Sequence, residues 1–303
     1  MMQVAPHPEI ATIPPVSLAA WHACSAITRT HGRTFYLASR FLPPARRQAI
    51  HAIYAYCRIA DDIADRSPDL ESAARGLDAW EAQIAQPTAP VALAFAAVRA
   101  RYGIPVAPVH DLLAGVRMDL TPARYETWED LRRYCYHVAG TVGLMTAPVL
   151  GCQDAAALPR AVDLGIAMQL TNVLRDVGED AVQGRLYLPL QDLARFGCDP
   201  DAVLRGRPNG QFPQLLAFEI ERARTIYAQA RLGYPALSPS GRLTALAGER
   251  LYAAILHRIE ENEFDVFSTR AHVSTSRKIG ALPGIAATFM RLSWTVALNQ
   301  RTA

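Results

Sequence analysis

The sequence predicts an all-α protein, and two patterns carry the prediction. Apolar residues recur three or four positions apart through almost the whole chain, which is the spacing of one helix face. Strand signals are scarce, since no long run alternates apolar and polar residues and no Asn-Gly pair joins two apolar runs. The chain of 303 residues has no internal repeat and no long linker. We therefore expect a disordered, proline-rich segment over 1–16 and one helical domain over 17–303.

Prolines and short loops bound the helices predicted in the first half of the chain. Ser17 begins the first helix, which runs to about His31. Pro43 and Pro44 begin the second, because the N–H that proline lacks would be unpaired in a first helical turn anyway. This helix ends near Asp65, just before Ser67-Pro68. Further helices are predicted over 70–84, 91–102, 109–119 and 128–150.

The second half continues the helical pattern. A long helix is predicted over 154–182, and the sequence GRLYLP at 184–189 interrupts the periodicity after it. A short helix over 191–196 and a polar loop over 199–210 follow. The last three predicted helices cover 213–232, 240–264 and 275–299.

Composition excludes several classes of function. The net charge of +3, without a Lys or Arg run, does not indicate a nucleic-acid-binding protein. Five scattered cysteines without CxxC spacing indicate buried thiols in a reducing compartment. No signal peptide is recognisable, and no apolar run reaches the ~18 residues of a membrane-spanning helix. We expect a cytoplasmic protein.

The longest apolar segment, 138–150, is short for a membrane span and contains Gly140, Gly143 and Pro148. It is typical of a buried helix whose glycines let another backbone approach closely. We expect the helix that begins at Trp128 to be locally opened in this segment.

One helix face carries only amide and carboxylate groups. Gln169, Asn172, Asp176 and Asp180 stand at i, i+3, i+7 and i+11, which places them on one side of a helix. Two aspartates four positions apart repel each other unless a cation lies between them. The face is therefore either a solvated surface or half of a cation site.

A second face of this kind lies on the helix that begins at Pro43, where Tyr54, Arg58, Asp61 and Asp65 share one side. Magnesium prefers oxygen ligands, and it is commonly bound by one or two carboxylates together with substrate phosphates. Two such faces predict a site for Mg²⁺ and a diphosphate, with Arg58 and Arg175 as candidate partners of the phosphate oxygens. The alternative, a helical structural protein with two solvated acidic faces, stays open on periodicity alone.

The segments around these faces resemble the squalene/phytoene synthase family of head-to-head prenyl transferases. Their motifs are most similar to those of bacterial and plant phytoene synthases. The matching motifs are HGRTFYLASRFLP (31–43), AIYAYCRIADDIAD (52–65), YCYHVAGTVGLM (134–145), QLTNVLRDVGEDAVQGRLYLP (169–189) and, more weakly, LYAAILHRIEENEFDVFSTRAHVS (251–274). The resemblance implies an isoprenoid-synthase-type helical bundle around a central apolar cavity. Asp61, Asp62 and Asp65 also spell the DDxxD motif of head-to-tail prenyl transferases, but DVGED at 176–180 does not repeat it.

The resemblance also implies roles for individual residues. The Mg²⁺ ligands would be Asp61, Asp65, Asp176 and Asp180, with Mn²⁺ as a candidate substitute. The diphosphate-binding residues would be Arg33, Arg58, Arg175, Arg270 and Tyr252. The residues around the reaction centre would be Tyr54, Tyr134, Gln169 and Asn172, with Tyr134 or released diphosphate as the proton acceptor. His31 is either a phosphate contact or a structural histidine.

The implied reaction condenses two geranylgeranyl diphosphates through a cyclopropylcarbinyl diphosphate to phytoene, and no nicotinamide cofactor is expected for it. Squalene, dehydrosqualene and hydroxysqualene synthases, which use farnesyl diphosphate, are the chemical alternatives. A non-catalytic assembly paralogue is the third hypothesis, although such a paralogue would be expected to lose the aspartates. The small residues Ala38 and Ser39 are candidates for making room for the longer tail. The lipid substrates suggest peripheral contact with the inner membrane.

Overall fold

The structure, a computed structural model, describes residues 15–121, 124–273, 280 and 282–302. Across these ranges the protein is all-α, as predicted, and its β structure is one isolated parallel bridge between Arg124 and Leu186. No helix in the described ranges is long and apolar enough to cross a membrane. The division of the chain at residue 16 stays a prediction, because residues 1–14 lie outside the described ranges.

The first part of the chain forms six helices within its described residues. They are α1 (Leu18–His31), α2 (Arg33–Ala38), α3 (Pro44–Arg66), α4 (Leu70–Ala82), α5 (Pro90–Tyr102) and α6 (Ala107–Met118). The predicted helices are confirmed to within a few residues, but sequence periodicity misses α2. Only Gly32 separates α2 from α1, and a 3₁₀ turn at Ser39–Phe41 then leads towards α3.

Local sequence explains where these helices begin. The Ser17 hydroxyl accepts a hydrogen bond from the backbone N–H of Ala20 at 3.2 Å, which caps α1. The Asp69 carboxylate does the same for α4 by accepting from Ser72 at 2.7 Å. Pro44 is the first residue of α3, where its missing N–H costs no hydrogen bond.

The segment predicted as one helix over 128–150 is divided into three pieces. They are α7 (Trp128–Cys135), a π-helix (Tyr136–Gly140) and α8 (Thr141–Thr146). The local opening expected near Gly140 is confirmed, since a π-helix is a widened turn that is frequent at functional sites. The predicted end at Leu150 is wrong, because the helix stops four residues earlier.

The remaining helices are α9 (Leu158–Val182), α10 (Leu190–Arg195), α11 (Pro200–Leu204), α12 (Phe212–Arg231), α13 (Pro239–Glu261) and α14 (Leu282–Thr302). A 3₁₀ turn at Ala155–Ala157 precedes α9, so the predicted start at Asp154 is early. The predicted loop 199–210 contains α11, which the Asp199 side chain caps. The start predicted for the last helix, at Thr275, lies outside the described residues.

The two helices that carry the acidic faces occupy the centres of different apolar cores. Residues of α3, such as Ile53 and Tyr56, are buried with side chains of α4, α5 and α6. Residues of α9, such as Ile166 and Leu170, are buried with side chains of α7, α12 and α13. Each acidic face is therefore fixed by the packing of the opposite side of its helix.

Glycines bring α9 against the π-helix and α8 with backbone contacting backbone. A Cβ atom at Gly143 would lie 2.1 Å from the carbonyl oxygen of Ala161, and a Cβ at Gly165 would lie 2.2 Å from that of Ala139. Real Cβ atoms do not approach so closely. The contact therefore holds only while both positions are glycine.

We predict that Gly143→Ala lowers the free energy of unfolding by about 1–3 kcal/mol, because the added methyl group forces the two helices apart. Urea unfolding followed by circular dichroism measures the change. Gly284→Ala in α14 is the matched control, since a Cβ there meets no atom within 4 Å. Equal stability of Gly143→Ala and wild type would contradict the backbone contact.

Candidate functional site

The face of α3 is confirmed as a set of neighbouring side chains, with Tyr54, Arg58 and Asp61 half-buried and Asp65 exposed. The Arg58 guanidinium does not pair with Asp61. It donates from Nη2 to Oδ1 of Asp62 at 2.5 Å, and its Nε is buried without a partner. Asp61 is thereby left without a direct ion pair among the described residues.

The Asp61 carboxyl lies in an environment that favours its neutral form. Burial, with smaller contributions from the nearby Asp65, Asp119 and Asp62, raises its pKa to about 7. The positive charge of Arg58 opposes these effects without overcoming them. A carboxyl group in this position gains from any cation that approaches it.

The face of α9 has the same property at its C-terminal end. Burial and, to a smaller extent, the negative charge of Asp176 together raise the pKa of Asp180 to about 7, although Arg185 opposes the rise. Towards the middle of the helix, Asn172 Nδ2 donates to Gln169 Oε1 at 3.2 Å. The Asn172 Oδ1 atom is buried and has no hydrogen-bond partner.

Asp176 differs from Asp61, Asp65 and Asp180 because it accepts hydrogen bonds from two arginines. Arg175 Nε donates to its Oδ1 at 2.7 Å, and Arg270 donates to both oxygens at 2.8 and 3.1 Å. Burial alone would raise the pKa of Asp176, but the hydrogen bonds and charge of Arg175 and Arg270 lower it overall. Asp176 is ionised and neutralised by the protein itself.

Asp119 and Arg185 connect the two acidic faces, and sequence reasoning misses both. Arg185 Nη2 lies 3.5 Å from Oδ1 of Asp65, and its charge also acts on Asp180. Asp119 raises the pKa of both Asp61 and Asp180. The faces of α3 and α9 are therefore brought to one site.

Neither residue has a periodic partner in the sequence. Asp119 directly follows α6, and Arg185 lies in the irregular segment after α9. The only sequence signal was the position of Arg185 within the GRLYLP interruption, which follows the acidic face directly.

A pair of tyrosines is bound to Asp119. The Tyr134 hydroxyl donates to Asp119 Oδ2 at 3.0 Å, and the Tyr187 hydroxyl donates to Oδ1 at 2.9 Å. Burial raises the pKa of Tyr134 well above its ordinary value, and the Asp119 charge raises it further. Burial also raises the pKa of Asp119, which the two hydroxyl groups counteract only in part.

Aromatic rings line the same region. The Phe35 ring lies 5.7 Å from that of Tyr54 and 5.4 Å from that of Tyr252, so residues of α2, α3 and α13 meet there. A Cβ at Gly32 would lie 2.5 Å from the Tyr54 ring, so the ring packs directly on the chain between α1 and α2. Burial raises the pKa of Tyr252, and the positive charge of the nearby Arg175 opposes this rise only in part.

The remaining residues singled out from the sequence lie apart from these contacts. His31 and Arg33 are exposed at the junction of α1 and α2. Ala38 and Ser39 are buried, and the Ser39 hydroxyl donates to the Tyr36 carbonyl at 2.8 Å and lies 2.9 Å from Nε2 of His51. Ala38 packs in a separate apolar cluster with Tyr234 and Ile285. That the two small residues make room for a longer tail stays a prediction.

The chemistry of the site fits a hard divalent cation. Its donors are carboxylate and amide oxygens, the buried Asn172 Oδ1 lacks a partner, and Asp61 and Asp180 lack full neutralisation. In the described residues, no three side chains of the types Asp, Glu, His or Cys are close enough to enclose a metal alone. A cation here would need further oxygens from water or a phosphate, as Mg²⁺ commonly has.

Comparison with known proteins assigns the chain to a family. A family model described as "Squalene/phytoene synthase" matches residues 28–277. A phytoene synthase of Arthrospira platensis is 40% identical over 301 residues, covering 93% of this chain and 97% of that protein. A 15-cis-phytoene synthase of Synechococcus elongatus is 41% identical over 281 residues, covering 87% and 91%.

Solved structures agree in fold. A dehydrosqualene synthase in complex with a ligand has a TM-score of 0.85 and 32% identity, covering 90% of this chain and 97% of that one. The squalene synthase HpnC from Alicyclobacillus acidocaldarius has a TM-score of 0.75 and 28% identity, covering 83% and 97%.

We predict that stability of the metal-free protein depends on Asp61 between pH 5 and 8. Its pKa of about 7 in the folded protein exceeds the ordinary value of 3.8, so the folded state binds more protons than the unfolded state and loses stability as pH rises. Asp61→Asn removes this loss of stability. The plot of unfolding free energy against pH should therefore become less steep, by at most about 1.4 kcal/mol per pH unit. Urea unfolding in EDTA at several pH values measures it.

Asp69→Asn is the matched control for that experiment. Hydrogen bonds from Ser72 lower the pKa of Asp69, so this carboxyl stays ionised from pH 5 to 8 and its loss shifts stability by the same amount throughout. Identical pH slopes for Asp61→Asn, Asp69→Asn and wild type would contradict the raised pKa.

Proposed function

The chain belongs to the squalene/phytoene synthase family, and we propose that it is a phytoene synthase, a prenyl transferase of early carotenoid biosynthesis. It joins two geranylgeranyl diphosphates head to head, through prephytoene diphosphate, to phytoene and diphosphate. The observation that carries the proposal is identity of 40% and 41% to phytoene synthases over most of both chains. The dehydrosqualene synthase structure reaches 32%.

Substrate diphosphates would bind between the faces of α3 and α9. Asp61, Asp65, Asp176 and Asp180 would hold Mg²⁺, for which Mn²⁺ is a candidate substitute. The bound cation supplies neutralising charge to the departing diphosphate. The unpartnered oxygen of Asn172 and the raised pKa values of Asp61 and Asp180 support this assignment.

The arginines of the site would supply hydrogen bonds to phosphate oxygens. Arg175 and Arg270 already bind the two oxygens of one carboxylate, which is the geometry that a guanidinium offers to a phosphate. Arg58, paired with Asp62, lies one helical turn before Asp61 and two turns before Asp65 on the same face of α3. Arg33, exposed at the start of α2, is proposed as a further phosphate contact.

Aromatic side chains would protect the allylic cation left after ionisation. Phe35, Tyr54 and Tyr252 form a contiguous set of rings beside Asn172 and Arg175. Such rings exclude water, and their faces carry partial negative charge that stabilises a cation. We place the reaction centre beside these rings, with Gln169 and Asn172 on the α9 side.

The proton released during ring formation would pass to Tyr134 and Asp119 together. The Tyr134 hydroxyl already donates to Asp119, so it can accept a proton from the substrate while giving its own to the carboxylate. The raised pKa of Asp119 makes this carboxylate a stronger base than an exposed aspartate. Released diphosphate is the alternative acceptor.

A farnesyl-using activity is the second candidate, because the dehydrosqualene synthase structure has a TM-score of 0.85 to this chain. A nicotinamide cofactor is not expected for the phytoene reaction, which ends by proton loss rather than reduction. We also propose peripheral contact of this protein with the inner membrane, since its substrates are lipids. Recovery of all protein in the lipid-free fraction of a liposome flotation would argue against that contact.

We predict that the purified protein with Mg²⁺ converts geranylgeranyl diphosphate to phytoene, and that farnesyl diphosphate alone is converted at least tenfold more slowly. Each diphosphate is incubated separately and the hydrocarbon is identified by mass spectrometry. Addition of NADPH should leave the product unchanged. A squalene-type hydrocarbon, with geranylgeranyl diphosphate untouched, would contradict the phytoene synthase assignment.

We predict that Asp119→Asn lowers kcat by about 10²–10⁴-fold, the usual contribution of a general base. Binding of an unreactive geranylgeranyl thiodiphosphate should change less than about threefold. Tyr187→Phe is the matched control, because it removes the other hydroxyl bonded to Asp119 and leaves the Tyr134 pair in place. A loss of binding in Asp119→Asn equal to its loss of rate would assign the residue to substrate binding instead.

A further inference from the structure

A buried group of charged side chains lies between α10, α12 and the start of α7. Arg222 Nη1 donates to Asp192 Oδ2 at 2.9 Å and to Glu219 Oε1 at 2.5 Å. Its guanidinium carbon lies 4.8 Å from the centroid of the Trp128 ring. Both acidic residues are buried. One arginine therefore has two buried carboxyl groups and an aromatic ring as partners.

The charge of this group implies a proton on Glu219. Among the described residues, only Arg222 forms an ion pair with either carboxyl group. Two ionised carboxylates would therefore leave a net negative charge in a buried place, which is unfavourable. A further titratable neighbour of Glu219 is the Cys135 thiol of α7, whose pKa burial raises. This thiol adds no positive charge.

One oxygen atom of Glu219 supports the same conclusion. Its Oε2 is buried and has no hydrogen-bond partner in the described part of the chain. A proton on this oxygen would give it a partner, because a neutral carboxyl group can donate to the Asp192 carboxylate. Burial, with a smaller contribution from Asp192, raises the pKa of Glu219 to about 7, although Arg222 opposes the rise. Glu219 and Arg222 then both donate to Asp192.

Asp192 connects this group to the irregular segment that carries Arg185. Asp192 lies in the first turn of α10, directly after that segment. The Leu190 N–H donates to the Tyr125 carbonyl at 2.9 Å, and Leu186 forms the parallel bridge. These contacts attach the segment to the chain just before α7.

Arg222 contacts both sides of that attachment. Its ion pair with Asp192 is on the α10 side, and Trp128 is the first residue of α7. The Phe218 ring of α12 adds a second contact, because the guanidinium carbons of Arg195 on α10 and of Arg222 lie 4.6 and 4.7 Å from its centroid. Helix α12 thereby holds α10 against the start of α7.

Arg185 itself has only a weak ion pair at its tip. Its Nη2 lies 3.5 Å from Oδ1 of the exposed Asp65, and such a pair does little to fix a long side chain. Its backbone N–H donates to the Asp180 carbonyl at 2.9 Å, which fixes the α9 end of the segment. The contacts of Asp192 fix the α10 end.

We propose that Arg222 and protonated Glu219 are positioning residues for Arg185. By binding the Asp192 carboxylate they fix α10, and the segment between α9 and α10 then keeps Arg185 between the two acidic faces. The inference rests on the proposed function, because it concerns the site where diphosphates would bind. It adds to that site two residues of α12 that do not touch the substrate.

The test is a double-mutant cycle on kcat/KM for geranylgeranyl diphosphate. Arg222→Gln should lower kcat/KM by about ten- to a hundredfold, the usual effect of a small misplacement in an active site. In an Arg185→Gln background the same change should lower it less than about threefold, because the displaced group is already gone. Arg224→Gln is the matched control, since Arg224 lies on the same helix and binds Glu260 at 2.6 Å. It should leave kcat/KM within about threefold of wild type.

Two substitutions of Glu219 test its proton. The amide of Glu219→Gln reproduces a neutral carboxyl group, since its oxygen can accept from Arg222 and its NH₂ group can donate to Asp192. This variant should keep kcat/KM within about threefold of wild type, whereas Glu219→Leu should lose at least about tenfold. Equal losses in both variants would overturn the assignment of the proton.

Asp192→Asn tests the same connection without depending on whether Arg222→Gln folds. Its loss of kcat/KM should also disappear in the Arg185→Gln background. Losses that multiply independently in both cycles would overturn the proposal, because they would show an effect that does not pass through Arg185.

Binding of inorganic diphosphate in the presence of Mg²⁺, measured by calorimetry, separates this proposal from the proposed function. Arg222→Gln should weaken this binding at least about threefold in the wild-type background and not in the Arg185→Gln background. Failure of wild type to form phytoene would refute the proposed function, and the binding cycle would still decide the role of Arg222. Equal weakening in both backgrounds would refute that role.

Discussion

The burial of carboxylates, to which their mutual repulsion adds, is the constraint on which the site depends. Asp61 and Asp180 come from helices far apart in sequence, and Asp119 raises the pKa of both. Such an arrangement is unfavourable by itself. It persists because α3 and α9 are each anchored by a separate apolar core on their other sides, and burial of those cores outweighs the repulsion.

Sequence periodicity was sufficient for the parts of the site that lie along a helix. The spacings of Asp61 and Asp65, and of Gln169 to Asp180, define faces that the structure retains. Asp119 and Arg185 could not be found this way, because helix ends and an irregular segment place them, and periodicity describes neither. The same reason hides α2, whose six residues follow α1 with only Gly32 between them.

The hydrogen-bond partners of charged residues also could not be predicted from the sequence. Arg58 was expected beside phosphate, and its side chain reaches Asp62, the neighbour that the helical face leaves out. Choice between two adjacent aspartates depends on side-chain conformation and burial, which spacing does not encode. The π-helix, in contrast, was foreseeable in outline, since Gly140 and Gly143 marked the segment where α8 meets α9.

The hydrogen bonds that Arg175 and Arg270 donate to Asp176 have a thermodynamic consequence. A diphosphate that recruits these guanidinium groups would release the Asp176 carboxylate for a cation at the same moment. Substrate binding would then exchange one set of ion pairs for another. The diphosphate and the cation would each raise the protein's affinity for the other by the same factor. This heterotropic coupling would keep the carboxylate satisfied in both states, so that no unpaired charge is left when the substrate departs.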